Sequence, residues 1–216
     1  MLSADAIINL HDQRTREWHQ VQADGVEIGP FDAQSGKNPK TDWLGSADWL
    51  GSVEQQHRAN FNLWHIEDEA RAPGATDAEL AMVKRRVDQT NQLRNDLAED
   101  LDRALLAWLE PRGLPSQCAP LNSESPGLII DRLSILALKI YHTREEAERA
   151  QAPPGHASRN SERFAILTEQ RDDLAACLDE LWLETVAGRR RFKLYRQLKM
   201  YNDPSLNPAI YLKAIQ

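Results

Sequence analysis

Only two cysteines occur in the 216-residue chain, Cys118 in a Pro-rich connection and Cys177 in a helical stretch, with no CxxC pair. That spacing excludes a disulfide framework and a cysteine metal knuckle. Long apolar runs are missing too. No stretch approaches the ~20 residues that cross a bilayer, and MLSADAIINLHDQR has no charged leader followed by an apolar segment. Both absences predict a cytoplasmic protein with no membrane span. An excess of positive charge is also lacking: 26 Lys and Arg face 33 Asp and Glu, for a net charge of −7. Such a surface argues against duplex nucleic acid as a partner. Nor does any stretch alternate with period two as a half-buried strand would.

What the chain does have is helical periodicity. A 41% hydrophobic and 27% charged composition is that of an ordinary folded protein, and the length suits a single domain whose core needs no staples. The pattern predicts an all-α, single-domain bundle of about six helices over 1–216, divided into an N-terminal helix and long loop (1–52) and a helical core (53–216). The first helix is predicted over about 4–22. The following Gly-, Pro- and Asp-rich loop carries the echo DWLGSADWLGS, too short for a solenoid repeat. Its Trp43 and Trp49 need a surface to cover, which predicts a loop packed on the domain. Further helices are expected over about 53–72, from Thr76 or Asp77 to about 109, from Pro126 behind Ser125, and over about 161–187. After Gly188 a basic terminal helix is expected, carrying Arg189, Arg190, Arg191, Lys193, Arg196 and Lys199.

Three of these helices place a polar stripe beside an apolar one. In FNLWHIEDEAR, Leu63 and Ile66 share a face while Trp64, Glu67, Asp68 and Arg71 gather opposite. The long helix carries Lys84, Asp88, Asn91, Arg94, Asn95 and Asp102, and the next one Asp131, Arg132, Lys139 and His142. Burying charge costs several kcal/mol per group unless it is paired, so such stripes form either a satisfied network or the lining of a cleft.

Glycoside hydrolysis needs one protonated and one ionised carboxylate, the second either about 5 Å away as nucleophile or about 6.5 to 9.5 Å away as base for water. Glu67, Asp68, Asp88 and Asp131 are the candidates for that acid and base. Trp49 and Trp64 are candidates to stack on sugar rings, and Arg94, Arg132 and Lys139 to tune or orient the carboxylates. An all-α phosphohydrolase would instead hold Mg²⁺ on carboxylates at i and i+3. Glu99 and Asp102 have that spacing, but the other half of such a motif is missing. His11-Asp12 lacks the partner histidine of a metal-dependent phosphohydrolase pair. A lone histidine on a helix flank is more often structural than a ligand, so His65 is assigned to the substrate-binding set and not to a metal.

NLWHIEDEAR, KRRVDQTNQLRNDLAEDLD, NSESPGLIIDRLSILALKIYH and YRQLKMYNDPSLNP together resemble the bacterial family named domain of unknown function 4254, over about residues 50 to 211. The resemblance places Trp64, His65, Glu67, Asp68 and Arg71, then Lys84, Asp88, Asn91, Arg94, Asn95 and Asp102, then Glu124, Pro126, Asp131, Arg132 and Lys139, and finally Lys199, Tyr201, Asn202 and Asp203 at characteristic family positions. It also implies a link to polysaccharide assembly, because members are often encoded beside sugar-transferring enzymes. The leading expectation is therefore a hydrolase acting on an oligosaccharide or polysaccharide without a cofactor. A phosphohydrolase of nucleotides or nucleotide-sugars with Mg²⁺ on Glu99 and Asp102 is the second. A non-enzymatic helical adaptor for a polysaccharide-assembly enzyme is the third, and the long amphipathic helices allow a homodimer.

Overall fold

The computed structural model describes residues 2–23, 47–198, 205, 206 and 208. Five α-helices make up most of the described residues: α1 (Ala4–Ala23), α2 (Ala47–Glu69), α3 (Asp77–Leu109), α4 (Pro126–Glu148) and α5 (His156–Val186). No strand occurs among them, only a single parallel bridge between Leu121 and Arg191. The all-α expectation holds, with α2 starting earlier than its apolar pattern suggested.

Local chemistry sets the helix ends. Thr76 caps α3 in a capping box, its hydroxyl accepting from Glu79 N–H while the Glu79 carboxylate accepts from Thr76 N–H. Pro126 opens α4 behind Ser125, where its missing N–H costs nothing. Here α3 does the capping: Asp102 Oδ1 accepts the Gly127 N–H at 2.7 Å, and its other oxygen takes the Ser125 hydroxyl. Gly127 is required for that approach, since a Cβ there would lie 2.3 Å from the Ala98 carbonyl oxygen.

Three helices run the same way. Along α1 and α2, Thr15 meets His57, Trp18 meets Phe61 and His19 meets His65, and on α4 Ser134 meets His57 before His142 meets Trp64. The others run against them: Arg94 and then Arg86 of α3 reach Asn60 and Glu69 of α2, and Asp179 and Arg171 of α5 reach Ala4 and Asp12 of α1. Parallel neighbours α1 and α2 cannot be joined by a tight turn. The chain has to return along a helix of about 35 Å, and the residues between Ala23 and Ala47 have ample reach at ~3.3 Å each.

One apolar core lies toward the start of α1, α2 and α4. It joins Leu2, Ile7, Trp49, Val53, Leu101, Leu105, Leu109, Ile130, Leu133, Leu178 and Trp182 with Phe192. A smaller cluster of Trp18, Phe61 and Leu138, flanked by Trp64, lies further along. The expected basic helix does not form over 189–198. Gly188 turns the chain at φ 75°, and the segment then lies against the α3–α4 connection, with Asn122 N–H donating to the Arg191 carbonyl at 2.7 Å and Phe192 in the core. Lys199, Tyr201, Asn202 and Asp203, like Trp43, lie outside the described residues.

Candidate functional site

Between the two apolar clusters sits a buried polar layer. Asp131 Oδ1 accepts from Gln56 Nε2 at 2.5 Å and Asn60 Nδ2 at 2.9 Å, with Arg94 Nε at 3.7 Å as its ion-pair partner. His57 bonds Ser134 Oγ through Nδ1 (2.7 Å) and Thr15 Oγ1 through Nε2 (2.9 Å), so one ring nitrogen donates and the other accepts. Burial pushes the Asp131 carboxyl above its usual range, against the pull of Arg94, and drives His57 well down. His11 stacks on His57 with centroids 4.4 Å apart, and burial pushes its pKa down to about 3. Both His11 ring nitrogens, Gln56 Oε1 and Arg94 Nε lack a hydrogen-bond partner among the described residues, while Asp131, Asn60, His57, Ser134 and Thr15 are bonded to one another or to Gln56; so interlocked a set suits a register-setting network better than a reacting centre.

Beyond this layer the histidines continue. His19 of α1, His65 of α2 and His142 of α4 come together, one ring nitrogen of each lying within 4.8 Å of the others. Packing fixes their planes: Tyr141 stacks on His19 at 4.2 Å, Trp64 on His142 at 4.8 Å and 9°, and Phe61 meets His65 edge-on at 4.6 Å.

A separate open cleft of about 800 Å³ runs along α4 and α5 beside Arg190. Ile129, Ile135, Leu136, Leu174 and Leu181 form its apolar floor, and Glu124, Arg132, Lys139, Gln170, Asp173, Glu180 and Glu184 its polar walls. Arg132 holds Glu124 at 2.8 Å. Arg189 holds Glu184 at 2.6 Å, which keeps that carboxyl below the usual range.

The sequence-predicted residues are distributed over these places and not gathered in one. Glu67 and Asp68 are both paired with Arg71 at the surface (3.4 and 3.9 Å), and Asp88 with Lys84. Asp131 alone is buried, and none of the four lines the cleft. The four candidate acids and bases are therefore not gathered in the cleft: three are solvated ion-pair members, and the fourth is held by two amides. Trp49, 1% exposed, belongs to the core and cannot offer a ring face to a sugar. Glu99 and Asp102 are not free to hold Mg²⁺. Glu99 accepts from Gln197 N–H and Arg103, and Asp102, raised to about 6 by burial, caps α4. Asn95 is buried and Asn91 half-buried on α3; Arg132 and Lys139 reach the cleft, while Trp64 and His65 join the histidine cluster.

Sequence reasoning missed Gln56, His57, Asn60 and Ser134, which sit on faces read as apolar, and it missed His19. One signal was available: five of the six histidines stand on α1, α2 and α4, and His11/His19 and His57/His65 repeat the same eight-residue step.

The chain belongs to a family of proteins of unknown function (DUF4254), whose model matches residues 51–194. No curated protein and no solved structure matches it. The matched segment contains the cleft, most of the polar layer and two of the three clustered histidines; α1, with His19, precedes it.

Proposed function

We propose that the chain binds an uncharged oligosaccharide in the cleft between α4 and α5. The observation that carries this reading is the charge balance of the lining. Glu124 and Glu184 are neutralised by Arg132 and Arg189, which leaves Lys139 and Arg190 against Asp173 and Glu180. Equal numbers of cations and anions give no preference for a phosphate or a metal-bound substrate. Donors and acceptors beside aliphatic side chains in one cleft match the hydroxyls and C–H faces of a saccharide. The link to polysaccharide assembly implied by the family resemblance points the same way, and binding without chemistry corresponds to an adaptor role.

Calorimetric titration of the full chain with a panel of neutral oligosaccharides tests this. Binding by the wild type that Lys139→Ala and Glu180→Ala each weaken about tenfold supports the reading, at about 1.4 kcal/mol per decade. Failure of every saccharide to bind refutes it.

Hydrolysis is a second reading, and one observation favours it: Glu180 and Glu184 line the same cleft one helical turn apart. Four residues rise about 6 Å along the helix, which sets the two carboxylates as neighbours on one face, the kind of pairing that glycoside hydrolysis uses. Arg189 holds the Glu184 carboxyl below its usual range, which leaves Glu180 as the candidate proton donor by position. Release of reducing ends that Glu180→Gln abolishes supports hydrolysis. Binding without any such release leaves the binding reading and removes this one.

A further inference from the structure

We infer that His19, His65 and His142 form a binding site for one divalent transition-metal ion of the zinc type, with a fourth position open to water or another small ligand. The site lies among α1, α2 and α4, apart from the α4/α5 cleft, and does not depend on what that cleft binds.

Three observations converge on it. The Nε2 atom of each ring is buried and has no hydrogen-bond partner among the described residues. Two of the rings are held in the tautomer a metal needs. Nδ1 of His19 lies 2.7 Å from the Thr15 carbonyl oxygen, and Nδ1 of His142 lies 3.1 Å from Glu145 Oε2. Both partners are acceptors, so each Nδ1 carries the hydrogen and each Nε2 keeps its lone pair. This is the backing that metal-ligating histidines receive from carbonyls and carboxylates. Third, one nitrogen of each ring already lies within 4.8 Å of one nitrogen of the other two. Ligands 2.0–2.1 Å from a tetrahedral metal stand about 3.3 Å apart, so ring movements on the order of 1 Å close the site.

The surroundings agree with this. Burial disfavours the protonated form of His19 and His65. Asp68 and Glu145 bring negative charge to the rim, acting on His65 in the direction opposite to burial. Three imidazoles with no thiolate suit zinc, cobalt, nickel or copper better than Mg²⁺ or Ca²⁺. A purely aromatic cluster would explain the stacking of Tyr141 and Trp64, but not three inward nitrogens without partners.

The test uses the full chain, stripped with a chelator and titrated with Zn²⁺ by calorimetry and with Co²⁺ by visible absorption. One equivalent of each metal should bind, and cobalt should show the strong visible band of a four-coordinate site. His19→Ala, His65→Ala and His142→Ala should each weaken binding at least 100-fold, and Glu145→Gln about 10- to 100-fold, as for a carboxylate backing a ligand. His156→Ala, at the sixth histidine and outside the cluster, should bind as the wild type does. Absence of stoichiometric binding, or affinity unchanged in the three alanine variants, overturns the inference. Should an alanine variant lose its helical circular dichroism, wild-type thermal stability decides: one equivalent of Zn²⁺ must raise the midpoint, and no rise also overturns it.

Discussion

Adding one methyl group at Gly127 tests whether α4 is truly capped by α3. The new Cβ would sit 2.3 Å from the Ala98 carbonyl oxygen and 2.9 Å from the Asp102 carboxyl group. Neither neighbour is a free side-chain end: one is helix backbone, the other a carboxylate pinned by Ser125 and Gly127. The start of α4 must therefore move about 1 Å away from α3. Overpacking of this kind costs about 1–3 kcal/mol, and the same movement stretches the Gly127 N–H bond to Asp102, worth about 1.5–3 kcal/mol as a bond to a charged acceptor. We expect Gly127→Ala to lose roughly 3–5 kcal/mol. At about 2.1 cal/mol/K of unfolding entropy per residue, a chain of 216 residues loses about 2 °C per kcal/mol, so its midpoint should fall by roughly 7–10 °C in a circular-dichroism melt. Ser125→Ala, which deletes one bond to Asp102 without a clash, should cost only about 1–2 kcal/mol. A Gly127→Ala protein as stable as wild type, or more stable than Ser125→Ala, refutes this account of the α3–α4 junction.

Three other outcomes follow from the same structure. Burial pushes the His11 pKa from the ordinary 6.5 down to about 3, so its contribution is complete above pH 6.5 and is lost as pH falls toward 3, about 2 kcal/mol by pH 5. Asp102, raised to about 6, acts oppositely below pH 6. His11→Phe, which keeps a ring against His57, should therefore gain on the wild type by roughly 2 kcal/mol between pH 7 and pH 5 in urea unfolding, and parallel curves would contradict the burial argument. Asp131→Ala strands Arg94, Gln56 and Asn60 together and should cost roughly 2–4 kcal/mol, below the usual toll of a broken buried pair because Arg94 keeps part of its hydration; a loss under 1 kcal/mol would show the layer to be dispensable. Cys177 is exposed and lines the cleft, so its alkylation with a bulky maleimide should block saccharide binding while leaving Zn²⁺ binding at the histidines intact. Equal binding before and after modification would place the saccharide elsewhere.

The fold class could be read because helices announce themselves locally, through apolar period, caps and breakers. Thr76 with Glu79, and Pro126 behind Ser125, stand where those rules put them. The terminal basic helix was misread for a non-local reason: cations and aromatics at helical spacing say nothing about the groove left by the α3–α4 connection, which claims Phe192 and the Arg191 backbone. Trp49 was placed in a loop because Gly51 and Asp48 look like turn residues, yet burial of its indole beside Leu2 and Ile7 extends α2 back to Ala47. Charge stripes were legible as stripes, but not the assignment of each charge. Arg71, Lys84 and Arg132 each find an acid within eight residues on or beside their own helix, so most of the pattern is spent locally before helices meet. Asp131, facing Gln56, Asn60 and Arg94 from two other helices, and Asp102, which caps α4 from α3, needed the tertiary structure to be understood.

Trp64 stands on the polar side of α2 for a reason that involves three helices. Its indole lies flat against His142 at 4.8 Å and so fixes the ring of α4 that completes the histidine cluster. A leucine could fill that volume but not impose a plane on the imidazole. The three histidines can meet at one level only because α1, α2 and α4 run in the same direction, and parallel α1 and α2 are possible only with a connection as long as the one between Ala23 and Ala47. The length of chain between α1 and α2 and the place of Trp64 are thus consequences of one arrangement. Two ligands and their packing partners belong to the family-matched segment, and α1 brings the third. Loss of α1 would therefore leave two histidines and an incomplete metal site, while every residue lining the α4/α5 cleft would still be present.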